Sequence, residues 1–208
     1  MSGLFQATDR LERIPMPDAD VSYLNDLDLG LPPEVALHRL IADVPWRQEN
    51  VVVWNKMYSQ PRLIASYGDR DTDYTYSGLT LSPLPWTDLL LEIKRRVENV
   101  AEASFNSVLL NYYRDNRDSM GFHSDDEPEL GPVIASLSLG EERTFVLKHK
   151  RNKSAKPVRL KLASGSLLLM KGETQRNWKH GIAKLTRPCV PRVNLTFRRI
   201  VPLGERSL

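Results

Sequence analysis

Arg192-Val193-Asn194-Leu195-Thr196-Phe197-Arg198 alternates strictly between polar and apolar residues. Successive side chains of a strand point to opposite faces, so Arg192, Asn194, Thr196 and Arg198 share one face and Val193, Leu195 and Phe197 the other. Two arginines and an amide on one face make a docking surface for a dianion, because the planar guanidinium fork matches carboxylates bidentately. An edge strand with a solvated polar face would read the same way. Leu109, Asn111 and Tyr113 repeat the period and set an amide and a phenol on one face.

Around these two stretches lie short β-rich runs at 108–113, 133–139, 144–148, 158–162, 166–170 and 192–200, separated by turn residues such as Gly140, Asn152 and Gly165. Many short strands at this spacing predict an antiparallel sandwich or barrel with helices packed outside, an α+β fold that is mainly β. Two helices precede them. Pro32 and Pro33 followed by Val35, Leu37, Leu40 and Ile41 predict a helix with proline in its first turn, ending before Pro45. After Thr87, Leu89, Leu90, Ile93, Val97 and Val100 recur at helical spacing. Residues 1–30 show no periodicity and are expected to form a loosely packed acidic arm. Residues 31–208 carry no internal repeat and are expected to form one domain.

Composition narrows the class. The chain has 208 residues, 41% apolar and 26% charged, which excludes a disordered, collagen-like or coiled-coil protein. No apolar run approaches the roughly 20 residues of a bilayer span, and the first 30 residues carry acids where a signal peptide carries an apolar core. An intracellular monomer without membrane attachment is expected, cytoplasmic, or nuclear in a eukaryote. The single cysteine, Cys189, excludes an internal disulfide and a Cys-rich zinc site, so any metal must sit on His, Asp or Glu.

The net charge of +3 conceals a division: residues 1–140 hold 12 basic and 22 acidic side chains, and the remainder 17 basic and 4 acidic. Lys148, Lys150, Arg151, Lys153, Lys156, Arg159 and Lys161 crowd one short stretch, which suits a phosphate backbone. A solvated hairpin would have the same composition.

His123 and Asp125 are one residue apart, so on an extended segment imidazole and carboxylate face the same way. His180, flanked by strand-like sequence, can supply a third ligand. Two His and one carboxylate leave coordination positions open, as in non-haem Fe(II) oxygenases. Each part alone is weak evidence, since such a pair arises by chance and a single histidine is more often a core residue. His38 and His149 are assigned no role.

Taken together, these residues resemble a family. Asn111-x-Tyr113, His123-x-Asp125-Asp126-Glu127, Ile134-Ala-Ser-Leu-Ser-Leu-Gly140, Arg143-x-Phe145-x-x-x-His149-Lys150, Gly165-Ser-Leu-Leu-x-Met170, His180 and the 192–198 strand are similar, in order, to the AlkB family of Fe(II)/2-oxoglutarate dioxygenases. Upstream, Pro61-Arg62, Tyr67-Gly68-Asp69, Tyr74-x-Tyr76-Ser77-Gly78 and Leu84-Pro85-Trp86 resemble its branch that repairs alkylated nucleic acid. The resemblance implies a double-stranded β-helix, or jelly-roll, barrel, with residues 50–85 as a nucleotide-recognition lid. It implies Fe(II) on His123, Asp125 and His180, and 2-oxoglutarate held by Asn111, Tyr113, Arg192, Asn194 and Arg198. O2 is the second co-substrate.

The implied activity is oxidative demethylation of bases of the 1-methyladenine and 3-methylcytosine type in single- or double-stranded DNA, with release of succinate, CO2 and formaldehyde. The target base must leave the stack to reach a buried metal. Tyr76 is expected to sandwich it with the His123 ring, and Tyr74, Ser77, Asp126 and Glu127 to line its edge, where carboxylates and aromatic faces favour a cationic methylated base. Val53, Trp54 and Asn55 are expected to form a wedge into the vacated stack, although Val51-Val52-Val53-Trp54 also reads as a buried strand. Arg62, Lys150, Arg151 and Lys153 are expected to touch nucleic acid. Competing readings are an RNA demethylase of the same family, a nucleic-acid-binding module with a vestigial metal site, and a zinc hydrolase. The last gives no reason for the second arginine and amide.

Overall fold

The computed structural model describes residues 10–53, 56–70, 72–76 and 79–201, and the side chains of 51–56 and 74–81 lie outside that description. In chain order the elements are β1 (Glu12–Ile14), β2 (Asp20–Leu24), α1 (Pro33–Asp43), β3 (Asn50–Val53), β4 (Lys56–Ser59), β5 (Leu63–Gly68), β6 (Tyr74–Tyr76), β7 (Leu79–Leu81) and α2 (Asp88–Ala101). They continue with β8 (Ser107–Tyr113), β9 (Met120–His123), β10 (Val133–Gly140), β11 (Arg143–His149), β12 (Val158–Leu162), β13 (Leu167–Lys171), α3 (Thr174–Asn177), β14 (Trp178–Ile182) and β15 (Arg192–Arg198).

A seven-stranded sheet runs β1-β2-β13-β10-β15-β8-β5, and a four-stranded sheet runs β12-β11-β14-β9. The named pairings in both are antiparallel. This is a jelly roll, and alternation along the central strands explains its layering. On β15, Val193, Leu195 and Phe197 are fully buried in a cluster that includes Leu37 and Leu40 of α1 and Leu90, Ile93 and Val97 of α2. The opposite set, Arg192, Asn194, Thr196 and Arg198, is buried as well and lines the cavity between the sheets. A second apolar cluster, with Tyr113, Phe145, Leu147, Met170 and Trp178, packs between the sheets around that cavity.

Both predicted helices form. α1 has proline in its first turn and stops at the extended Val44, whose conformation is imposed by Pro45. The Thr87 hydroxyl accepts from the Leu90 N–H at 3.3 Å to cap α2, and the helix ends on Glu102 in the left-handed region at φ 52°.

Two expectations change. Residues 10–24 are not a loose arm: β2 pairs along β13, Val21 is fully buried between the sheets, and Trp178 Nε1 donates to the Pro17 carbonyl at 2.9 Å. The apolar alternation there covers only Val21 and Tyr23, too few positions to announce a strand. The stretch 50–85 is divided: β5 at its centre is the edge of the seven-stranded sheet beside β8, so the expected lid residues fall on two separate hairpins, β3–β4 and β6–β7. Among the described residues no helix is long and apolar enough to cross a membrane.

Candidate active site

β9 and β14 are neighbours in the smaller sheet, and their register sets His123 directly opposite His180. The approach is close because residue 181 is glycine: a Cβ there would lie 2.9 Å from the Met120 carbonyl oxygen. The imidazole centroids are 4.5 Å apart, and His180 stacks on Phe145 at 4.9 Å. Asp125 lies just beyond the end of β9. Its Oδ1 lies 3.8 Å from His123 Nε2 and its Oδ2 3.9 Å from His180 Nε2, and the three ligand atoms fall within 4.8 Å of one another. His123 Nδ1 is 3.0 Å from the Gly121 carbonyl, which can only accept, so Nδ1 bears the proton and the Nε2 lone pair faces Asp125. The turn carrying Asp125 is held by its N–H donating to Gln175 Oε1 at 3.1 Å and by the Ser124 hydroxyl donating to the Trp178 carbonyl at 3.0 Å.

The electrostatics suit a cation. Burial lowers the pKa of both imidazoles, that of His180 to about 3 with help from His123, so both are neutral donors near pH 7. Burial alone would raise Asp125. The Arg198 guanidinium, His180 and His123 outweigh it and hold the carboxyl at about 2. Two neutral nitrogens and one carboxylate form a donor set that fits a divalent iron.

The same cavity is lined on its other side by Asn111, Tyr113, Arg192, Asn194 and Arg198. β15 lies between β8 and β10, with Arg192 opposite Tyr113 and Asn194 opposite Asn111. Arg192 is 1% exposed. Its Nη2 donates to the Ser138 hydroxyl at 2.9 Å, while Nε and Nη1 are buried without a hydrogen-bond partner. Burial pushes its pKa down to about 10, with Tyr113 opposing and Arg143 adding to the fall. Such an unsatisfied, desolvated guanidinium fits a carboxylate of 2-oxoglutarate. Asn194 donates to the Ser136 hydroxyl at 2.8 Å and to the Leu137 carbonyl at 2.9 Å. Arg198 Nη2 donates to Asp125 Oδ1 at 2.9 Å, joining the anion side of the cavity to the metal side.

Not every residue expected to touch nucleic acid is on the surface. Arg62 is 4% exposed, and its Nε donates to Asn111 Oδ1 at 2.7 Å. It sits behind Asn111 of the cavity wall, because β5, which it precedes, pairs with β8. Lys150 is paired: its ammonium donates to Asp126 Oδ2 and to the Gln175 carbonyl, both at 2.8 Å. Arg151 and Lys153 are exposed on the β11–β12 turn. His149 Nδ1 accepts from the N–H groups of Arg151 and Asn152, and Asn152 Oδ1 accepts from that of Ser154, so the turn is built rather than slack. Glu127 is half-buried beside Asp126. Tyr74 and Tyr76 lie on β6 and Val53 on β3, with their side chains outside the described residues; Trp54, Asn55 and Ser77 lie outside altogether.

Sequence reasoning missed Gln175, Ser136 and Ser138. The serines alternate on β10 opposite Thr196 and Asn194 and could have been found by the same period of two that exposed β15. Gln175 sits on a single helical turn and carries no local signal.

The profile of the 2OG-Fe(II) oxygenase superfamily matches residues 34–198. The chain is 44% identical over 176 residues to mouse alpha-ketoglutarate-dependent dioxygenase alkB homolog 3, covering 80% of this chain and 61% of that protein. It is 46% identical over 165 residues to bovine DNA oxidative demethylase ALKBH2, covering 76% and 59%. It thus spans about three fifths of the length of these curated relatives. Among solved structures, that of OsALKBH1 superposes with a TM-score of 0.58 at 15% identity, over 91% of this chain and all of the other, a likeness of fold. The chain belongs to the 2OG-Fe(II) oxygenase superfamily and, within it, to the AlkB family of dioxygenases.

Proposed function

We propose that this chain removes N-alkyl groups oxidatively from bases of the 1-methyladenine and 3-methylcytosine type in DNA. The observation that carries the reading is one cavity holding both a His-Asp-His donor set and a buried guanidinium with two unpartnered nitrogens. His123, Asp125 and His180 would hold Fe(II). Arg192, Arg198, Asn194, Asn111 and Tyr113 would hold 2-oxoglutarate. When bound, iron with 2-oxoglutarate and O2 supplies the oxidation, which yields succinate and CO2 and hydroxylates the N-methyl carbon so that it departs as formaldehyde.

The protein's own part is orientation and exclusion of water. The Gly121 carbonyl fixes the His123 tautomer, and Arg198 keeps Asp125 ionised. Phe145 and Met170 are apolar parts of the cavity wall. Tyr74, Tyr76, Ser77, Asp126 and Glu127 are proposed to receive the flipped base, and Val53, Trp54 and Asn55 to fill its place in the stack. The structured turn bearing Arg151 and Lys153 supports a role in holding phosphate there, with Lys150 shared between phosphate and Asp126. The relatives named as DNA oxidative demethylases support DNA as the substrate.

The test supplies Fe(II) or Zn(II) with methylated and unmethylated oligonucleotides of DNA and RNA, and measures succinate and formaldehyde. Equimolar release with Fe(II) on methylated DNA is expected. Turnover with zinc, or on RNA alone, would overturn the reading.

A further inference from the structure

The barrel interior holds one more cation that the site as described does not use. Arg143 is the first residue of β11 and points inward, on the same side of the strand as Phe145, and is 1% exposed. Its Nη2 donates to the backbone carbonyls of Asp118 at 2.9 Å and Ala183 at 2.5 Å, while Nε and Nη1 are buried with no hydrogen-bond partner. Arg143 Cζ lies 5.6 Å from the centroid of the Tyr113 ring, and Arg192 Cζ lies 5.0 Å from it. Two guanidiniums thus flank one phenol, each with the same two nitrogens unsatisfied, and no ion pair joins either to a carboxylate among the described residues.

Burying a charge without a partner is costly, and two such charges close together also repel. An arrangement of this kind is stabilised when an anion enters beside it. Hydrogen bonding between Arg143 and two loop carbonyls would account for its retention as a staple, tying the β8–β9 connection to the segment after β14. A staple, however, needs donors rather than a full charge, and it gives no reason to set that charge against Tyr113 and Arg192.

We propose that Arg143 is a positioning residue for the carboxylate of 2-oxoglutarate that is remote from the metal. It does not line the cavity, whose wall here is Tyr113. It acts through that ring, adding its field to that of Arg192 and fixing the phenol in place, so that the site prefers 2-oxo acids ending in a second carboxylate. The inference rests on reading the cavity as the 2-oxoglutarate site. At an effective dielectric near 20, a unit charge about 10 Å from the ligand carboxylate, on the far side of the Tyr113 ring, is worth on the order of a tenfold change in affinity.

Calorimetric titration of the Fe(II)-loaded chain under argon, with 2-oxoglutarate and with 2-oxopentanoate, tests it without turnover. The second acid carries a methyl group where the first carries its remote carboxylate. Arg143→Gln keeps a donor for the two carbonyls but removes the charge. It is expected to weaken 2-oxoglutarate roughly tenfold and to leave 2-oxopentanoate within about twofold. Arg143→Lys, which keeps the charge and loses the fork, is expected to retain the wild-type preference while lowering the melting temperature. Equal weakening of both acids, or an unchanged preference in Arg143→Gln, would reduce Arg143 to a staple. If Arg143→Gln does not fold, loss of the preference in Arg143→Lys overturns the proposal by itself. A wild-type chain that shows no preference for 2-oxoglutarate would instead sink the co-substrate reading.

Discussion

Asp125 ties the two halves of the site together, since its carboxylate faces both imidazoles and accepts from Arg198. Asp125→Ala should abolish the rise in melting temperature that Fe(II) or Zn(II) produces in the wild type and leave affinity for oligonucleotides nearly intact, because the side chains proposed to hold phosphate lie on the β11–β12 turn. Differential scanning fluorimetry and anisotropy check the two halves of this outcome. Arg198→Met should weaken the fold as well as the grip on co-substrate. It strands a carboxylate that is fully buried, and breaking a buried pair from one side typically costs about 3 to 5 kcal/mol. Urea unfolding of the metal-free chain measures it. A fall in stability below about 1 kcal/mol would mean that water replaces the guanidinium.

At the scale of the element, α2 and the β11–β12 hairpin make separate predictions. Thr87→Ala removes the cap of α2 and should cost about 1 kcal/mol, whereas Glu102→Gly relieves a left-handed residue and should stabilise by roughly the same amount. Thermal unfolding of the two variants should shift in opposite directions. On the hairpin, replacing Arg151 and Lys153 by Ala should lower the salt slope of binding by about 0.9 for each duplex phosphate that is no longer neutralised, equally for all sequences. Lys150→Ala alone should change the slope less than Arg151→Ala, because Lys150 already holds Asp126 and the Gln175 carbonyl. Binding titrations across a salt series decide it; a sequence-dependent weakening would place these side chains on bases.

For the whole molecule, the metal and co-substrate proposed to occupy the cavity between the sheets would bind the folded chain alone. Saturating Fe(II) and 2-oxoglutarate under argon should stabilise it by about 2.7 kcal/mol for each ligand present at a hundredfold its Kd. Chelation should return the unfolding midpoint to that of the metal-free chain. Removing residues 1–24 should do the reverse. It strips β2 from β13, uncovers an apolar edge and exposes Trp178, so the truncated chain is expected to aggregate in light-scattering measurements well below the melting temperature of the full chain.

What the sequence determined by itself is periodic or chemically distinctive. The period of two in 192–198 and at Leu109, Asn111 and Tyr113 named a polar strand face, because a pleated strand has no other way to sort its side chains. The period near 3.6 after Thr87 and the prolines before Val35 located both long helices, and His123, Asp125 and His180 were legible only together, as a candidate donor set. Tertiary structure alone decided the rest. It brought His180 opposite His123 across a strand pair that Gly181 allows to approach closely, and it turned Arg198 onto Asp125. It drew Arg62 inward to Asn111 and built residues 10–24 into the main sheet. Each of these depends on partners far apart in the chain, and register between strands is set by the packing of a whole face, which no local window of sequence contains.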